Sequence, residues 1–211
     1  MIAGIVGVPK RLDLIERLAA LIEPQVDHLQ VFLDHDYQGH WWNTVRTWRD
    51  LTRRAKPNEP VLVMTDDVTT VPDWRSRWER IHSQAQNDIY SLFTRQRFLF
   101  TAANLDRGYV TKVQRRGFYD HAVILINQPT LIDDVLDWFN GPGSTAPGVV
   151  GRERHLDVVI QEFLINKNKP WTITVPTLFN HLPVRSTLGH TVGESPYFVG
   201  GTGSQLERQS S

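Results

Sequence analysis

Val61-Leu62-Val63-Met64-Thr65-Asp66-Asp67-Val68 decides how this chain is read. Four apolar residues in a row, with Pro60 before them and two carboxylates after them, predict a short strand buried on both faces. Both-sided burial belongs to sheets covered by helices, and the residues upstream agree. Ile2–Val8 is a first β-rich run. Leu12, Ile15, Leu18, Ala19 and Ile22 then recur on one helical face, until Pro24 stops the helix. His28–Leu33 is a second strand, and Trp41, Val45, Trp48 and Leu51 mark a helix from His40 to about Ala55. Strand, helix, strand, helix, strand predicts an α/β fold, a mostly parallel sheet with helices on both faces. In such sheets ligands bind beyond the carboxyl ends of the strands, which directs attention to Val8-Pro9, Asp34 to Asp36 and Asp66-Asp67.

Downstream the pattern is more mixed. Trp74 to about Gln86 reads as helix, and Ile89–Thr94 and Phe98–Thr101 read as extended. Tyr109–Val113 and Ala122–Ile126 are further strands, and Pro129 opens a helix. A glycine- and proline-rich loop, 141–148, precedes another helix over 153–166, and Thr172–Val175 is a last strand leading to His181. About 60 residues beyond the loop make too small a core to stand alone, so residues 1–199 are read as one domain and 200–211 as a glycine-rich tail.

Composition narrows the function classes. The 211 residues carry 23 basic and 23 acidic side chains and no cysteine, which excludes disulfides, thiolate metal sites and cysteine nucleophiles. No run of 18 apolar residues predicts a membrane span, and no basic-led apolar leader is seen; a cytoplasmic location is the default expectation. The neutral total is uneven. Residues 46–116 hold 14 Lys and Arg against 8 Asp and Glu, with Trp74, Trp78, Tyr90 and Tyr109 interleaved. Arg46, Arg49 and Arg53 recur at helical spacing, a pattern that fits a solvated face and also a nucleic-acid contact.

Adjacent carboxylates past a buried strand repel each other and lose hydration unless a cation or donor compensates them. A hard divalent ion bridging carboxylate and phosphate oxygens is one solution; a turn with solvated aspartates is the other. His181, a few residues after the last strand, is a third ligand if that strand joins the same sheet.

Gly39-His40-Trp41-Trp42-Asn43-Thr44-Val45-Arg46-Thr47-Trp48, followed by Val61–Met64 and Asp66-Asp67-Val68, resembles the core block of GT-A fold glycosyltransferases. The similarity is greatest to the family 25-like enzymes and their short bacteriophage-encoded relatives. It continues at His155-Leu156-Asp157-Val158-Val159-Ile160 and at Val175-Pro176-Thr177-Leu178-Phe179-Asn180-His181 with Ser186-Thr187-Leu188-Gly189, covering residues 1 to about 190. The family usually has a histidine near Asn43 and a second acidic residue beside Asp157, where this chain has Val158.

The resemblance implies a Rossmann-like GT-A sheet and transfer of a sugar from a nucleotide diphosphate donor, a UDP-sugar, to a hydroxyl. It implies Mn²⁺ or Mg²⁺ held by Asp67 with His181, Asp66 either joining them or holding the ribose or sugar hydroxyls of the donor. Val8, Pro9, Arg11, Asp34, Asp36 and Asn43 would line the nucleotide, Arg185 and Ser186 the diphosphate, and Asp157 would be the base toward the acceptor. For the acceptor, the phage relatives and the basic 46–116 region point to a hydroxymethylated pyrimidine in DNA. A GT-A-like nucleotidyltransferase, or a small molecule, protein or surface glycan as acceptor, stays open, as does a non-catalytic nucleic-acid-binding protein. The sequence specifies no oligomeric state.

Overall fold

The computed structural model describes residues 1–36, 38–112, 123–141, 156–182 and 198. Most of the 141–148 loop, the 200–211 tail, Arg185, Ser186 and the 186–189 stretch lie outside the described residues. β1 (Ile2–Gly7), α1 (Leu12–Ile22), β2 (His28–Leu33), α2 (His40–Arg54) and β3 (Val61–Thr65) form in the order expected from their apolar periodicity. They are followed by β4 (Val68–Thr70), α3 (Trp74–Ala85), β5 (Ile89–Ser91), α4 (Ala102–Arg107), β6 (Tyr109–Lys112), β7 (Val123–Ile126), α5 (Leu131–Asn140), α6 (Leu156–Asn166), β8 (Trp171–Thr174) and β9 (Phe179–His181).

Seven strands make one sheet in the order β2-β1-β3-β7-β5-β8-β6. β1 pairs parallel with β2 and β3, and β5 parallel with β8, while β7 and β6 run against their neighbours. The sheet is therefore mixed, with most strands pointing one way. Alternation along the strands separates two cores. Ile2, Val6, Val61, Val63, Ile124 and Ile126 face Trp48 and Leu51 of α2, helix α5 and Phe163 of α6. Ala3, Ile5, Leu62, Met64, Val123 and Leu125 face α1 and Trp74, Trp78 and Ile81 of α3. Helices on both faces are thus the observed arrangement, and α2 and α3 lie on opposite sides of the sheet.

The described residues of the basic 46–116 stretch are thereby divided between the two faces of the sheet. The arginines of α3 are also largely spoken for: Arg75 pairs with Glu79 at 3.0 Å and Arg77 with Asp73 at 2.9 Å. Local chemistry likewise overrides the extended reading of Phe98–Thr101. Arg97–Leu99 is a 3₁₀ turn, and Thr101 caps α4 by accepting the Asn104 N–H at 3.3 Å. Gly108, at φ +86°, ends α4 in the left-handed conformation that glycine takes without strain.

Two three-residue strands that the sequence does not reveal build the site. β4 and β9 pair antiparallel, with Val68 opposite His181 and Thr70 opposite Phe179. Among the described residues no helix is long and apolar enough to cross a membrane.

Candidate active site at the carboxyl ends of β1 to β3

Parallel register carries the ends of β1, β2 and β3 to one edge, where Val6 stands beside Thr65 and Gly7 beside Leu33. Asp66 follows β3 directly and turns under the end of β1. Its Oδ2 accepts the Val8 N–H at 3.2 Å and its Oδ1 accepts from Arg11 Nη1 at 2.9 Å. The same nitrogen lies 3.3 Å from Asp67 Oδ2. Arg11 reaches them from the Pro9–Arg11 3₁₀ turn, in which the proline opens the turn and the Arg11 N–H bonds Val8 O at 3.0 Å.

Both carboxylates are buried, Asp66 at 5% exposure and Asp67 at 8%. The solvated-turn reading of the pair is thereby set aside. Burial pushes the Asp66 carboxyl above the usual carboxylate range; Arg11 and the Val8 N–H pull it back, and Asp67 adds to the rise. Gly7 makes the close approach possible, because a β-carbon there would stand 2.8 Å from Asp66 Oδ2 and 2.7 Å from Ile15 Cδ1.

Pairing of β4 with β9 brings His181 to the other side of Asp67. His181 Nδ1 lies 3.5 Å from Asp67 Oδ1, and the Leu182 N–H donates to Asp67 O at 2.8 Å. Phe93 meets the His181 ring edge to face, with centroids 4.8 Å apart. Nothing in the sequence marks Phe93 for this, since its position depends on Leu92 O accepting the Leu178 and Phe179 N–H groups. Asp67 Oδ1 is buried with no hydrogen-bond donor among the described residues. A buried carboxylate oxygen facing an imidazole nitrogen is a donor pair that suits Mn²⁺ better than Mg²⁺, which prefers all-oxygen ligands. Among the described residues no three His, Asp or Glu side chains suffice to hold a metal by themselves. The two donors therefore suit an ion whose remaining ligands come from phosphate and water. Asp66, expected as a ligand beside Asp67 and His181, is turned instead to the Val8 N–H and Arg11.

The other expected residues are distributed as follows. Asp34 is buried, and its two oxygens accept the Gln38 and Gly39 N–H groups at 2.9 and 2.8 Å, holding the loop from β2 to α2 in shape. Asp36 is exposed in the turn after β2. Asn43, also buried, donates to Phe32 O at 3.0 Å and Gly7 O at 3.4 Å, and accepts from Arg46 Nη2 at 2.7 Å. It ties the ends of β1 and β2 to α2, and Arg46 reinforces it through Leu33 O at 3.0 Å. Asp157 is the second residue of α6. The structure thus gathers Val8, Arg11, Asp66, Asp67 and His181 into one cluster and sets Asp34 and Asn43 at the adjoining strand ends.

No protein-family model matches the chain, and no curated protein sequence matches it. Solved structures do. A glycosyltransferase involved in the glycosylation of the major capsid of PBCV-1 superposes with a TM-score of 0.51 at 12% identity, covering 88% of this chain and 95% of its own. The glycosyltransferase GlyE of Streptococcus pneumoniae gives a TM-score of 0.44 at 14% identity, over 81% of this chain and 44% of its own, so the present chain spans less than half of GlyE. The galactosyltransferase LgtC, solved with donor and acceptor sugar analogs, gives 0.42 at 12% identity, over 78% and 70%. Likeness to the PBCV-1 enzyme over almost its full length is a likeness of fold: the chain has the GT-A glycosyltransferase fold.

Proposed function

We propose that this chain is a metal-dependent glycosyltransferase that moves a sugar from a nucleotide diphosphate donor, a UDP-sugar, to a hydroxyl acceptor. The observation that carries the reading is the buried acidic pair after β3, with one Asp67 oxygen left facing His181, in a sheet of GT-A form. Asp67 and His181 would hold Mn²⁺ or Mg²⁺. When bound, that ion supplies Lewis-acid stabilisation of the charge growing on the leaving diphosphate.

The protein groups divide the remaining work. The Val8-Pro9 turn, Asp34 and Asp36 frame the nucleotide at the ends of β1 and β2, with Asn43 fixing those ends to α2. Asp66 positions Arg11 and the Val8 backbone. Arg185 and Ser186 are assigned to the diphosphate oxygens, where an arginine can bind two of them at once. In transfer with inversion, the acceptor oxygen attacks the anomeric carbon, the bond to diphosphate breaks, and Asp157 takes the hydroxyl proton.

For the acceptor we favour a hydroxymethylated pyrimidine in DNA. Helix α2 supports this choice. A groove of about 470 Å³ between α2 and α5 is lined by Trp41, Trp42, Arg46, Arg49, Arg53 and Phe139. Trp42 is 39% exposed, with the Arg46 guanidinium 4.6 Å above its ring, a pairing of cation and stacking surface suited to nucleic acid.

The test is mass-spectrometric detection of sugar added to hydroxymethylated DNA from a panel of nucleotide sugars with Mn²⁺. Arg49→Ala with Arg53→Ala is expected to weaken DNA binding and to lower the slope of log affinity against log salt by about 2, about 1 for each phosphate no longer neutralised. An unaltered salt slope rejects the α2 docking surface. Sugar transfer to a small molecule, protein or glycan but not to DNA rejects the DNA acceptor alone.

A further inference from the structure

We infer that Arg11 is a resident counter-cation of the acidic pair, and that it competes with the metal for that pair. The inference rests on the reading above for the metal itself and deepens it.

The four carboxylate oxygens can be accounted for one by one. Asp66 Oδ2 takes the Val8 N–H; Asp66 Oδ1 and Asp67 Oδ2 share Arg11 Nη1 at 2.9 and 3.3 Å; Asp67 Oδ1 faces His181. One nitrogen spans both carboxylates. This is unlike the fork in which two guanidinium nitrogens grip one carboxylate, and it places the cation where it neutralises the pair. The Arg11 side chain is 12% exposed, so its charge acts through protein more than through water.

A divalent ion arriving at Asp67 therefore meets a positive charge already bound to the same carboxylate. Its net attraction to the pair is reduced by its repulsion from the Arg11 guanidinium. Two buried like charges are costly without compensation, and Arg11 supplies a cation for them in this structure. Arg11 extends from the Pro9–Arg11 3₁₀ turn at this end of the sheet, with its Nη1 on both carboxylates.

The experiment titrates Mn²⁺ alone into wild type, Arg11→Met and Arg11→Lys, reading free Mn²⁺ by electron paramagnetic resonance. Circular dichroism and Tm confirm the fold of each protein. Arg11→Met, which keeps the apolar stem, is expected to bind Mn²⁺ at least tenfold more tightly than wild type, while Arg11→Lys, which keeps the charge, stays within about threefold of wild type. If folded Arg11→Met binds Mn²⁺ no more tightly than wild type, or if Arg11→Lys tightens as much, the inference is overturned. A parallel titration with UDP present separates the two claims. Tighter Mn²⁺ binding by Arg11→Met, with no response to UDP in any of the three proteins, upholds the counter-cation and counts against the sugar-donor reading.

Discussion

Asp67→Asn is expected to lower kcat for sugar transfer on the order of 10³-fold, the scale on which removing one electrostatic stabiliser of a leaving group acts. The side chain keeps its shape, so the effect isolates the charge. Stability should change little. The variant loses an ion pair to Arg11 at 3.3 Å but also relieves the repulsion that Asp67 exerts on buried Asp66. Steady-state kinetics beside a thermal melt checks both halves. Transfer within tenfold of wild type would remove Asp67 from the mechanism.

The second large effect concerns a residue with no functional group. Gly7→Ala places a methyl 2.7 Å from Ile15 Cδ1 and 2.8 Å from Asp66 Oδ2. Ile15 ends in a flexible ethyl arm and can give way; Asp66 is held by Val8 and Arg11 and cannot move without losing them. Overpacking together with a disturbed buried carboxylate is expected to cost about 2–3 kcal/mol, a fall in Tm of roughly 5–10 °C. Mn²⁺-dependent nucleotide binding should fail as well. Gly4→Ala is the matched control. Its β-carbon would crowd Leu51 Cδ1 at 2.8 Å and Thr47 Cγ2 at 2.9 Å, against α2 and away from the acidic pair. It should lower Tm comparably while leaving metal-dependent binding in place. Equal loss of binding in both variants would mean that Gly7 matters only for packing.

How much of this is legible in the sequence depends on the range of the interaction that decides each feature. The β1-α1-β2-α2-β3 unit can be read because each element carries its own apolar period and its own stop, such as Pro24 after α1. Asp66-Asp67 stands out for the same reason, at the abrupt end of an apolar run. β4 and β9 cannot be read. Three residues hold no period, and the Val68–His181 pairing joins segments more than a hundred residues apart. His181 is nevertheless placed in the site, because the strand before it is visible.

Partner choice is the least legible. The sequence makes Asp34 a candidate nucleotide ligand but does not reveal that its oxygens also accept the Gln38 and Gly39 N–H groups; an aspartate four and five residues before a glycine-led helix start is the available sign. Arg11 is expected at the nucleotide, and nothing in a linear sequence says that its side chain also reaches Asp66 and Asp67 after β3. The charge excess of residues 46–116 misleads in a related way. It is contiguous in sequence, but the sheet runs through it, with α2 on one side and α3 on the other.

The central claim is that a nucleotide sugar and a divalent ion share the carboxyl ends of β1 to β3. Its most direct test is a thermal-shift series on the wild-type protein with UDP, GDP and their sugars, each with Mn²⁺ and with EDTA. A ligand at 100 times its dissociation constant stabilises the folded state by about 2.7 kcal/mol, roughly 5–10 °C for a chain of this size. Such a rise is expected for at least one nucleotide sugar with Mn²⁺, and EDTA should abolish it. No shift with any of them, in either condition, would contradict the shared site.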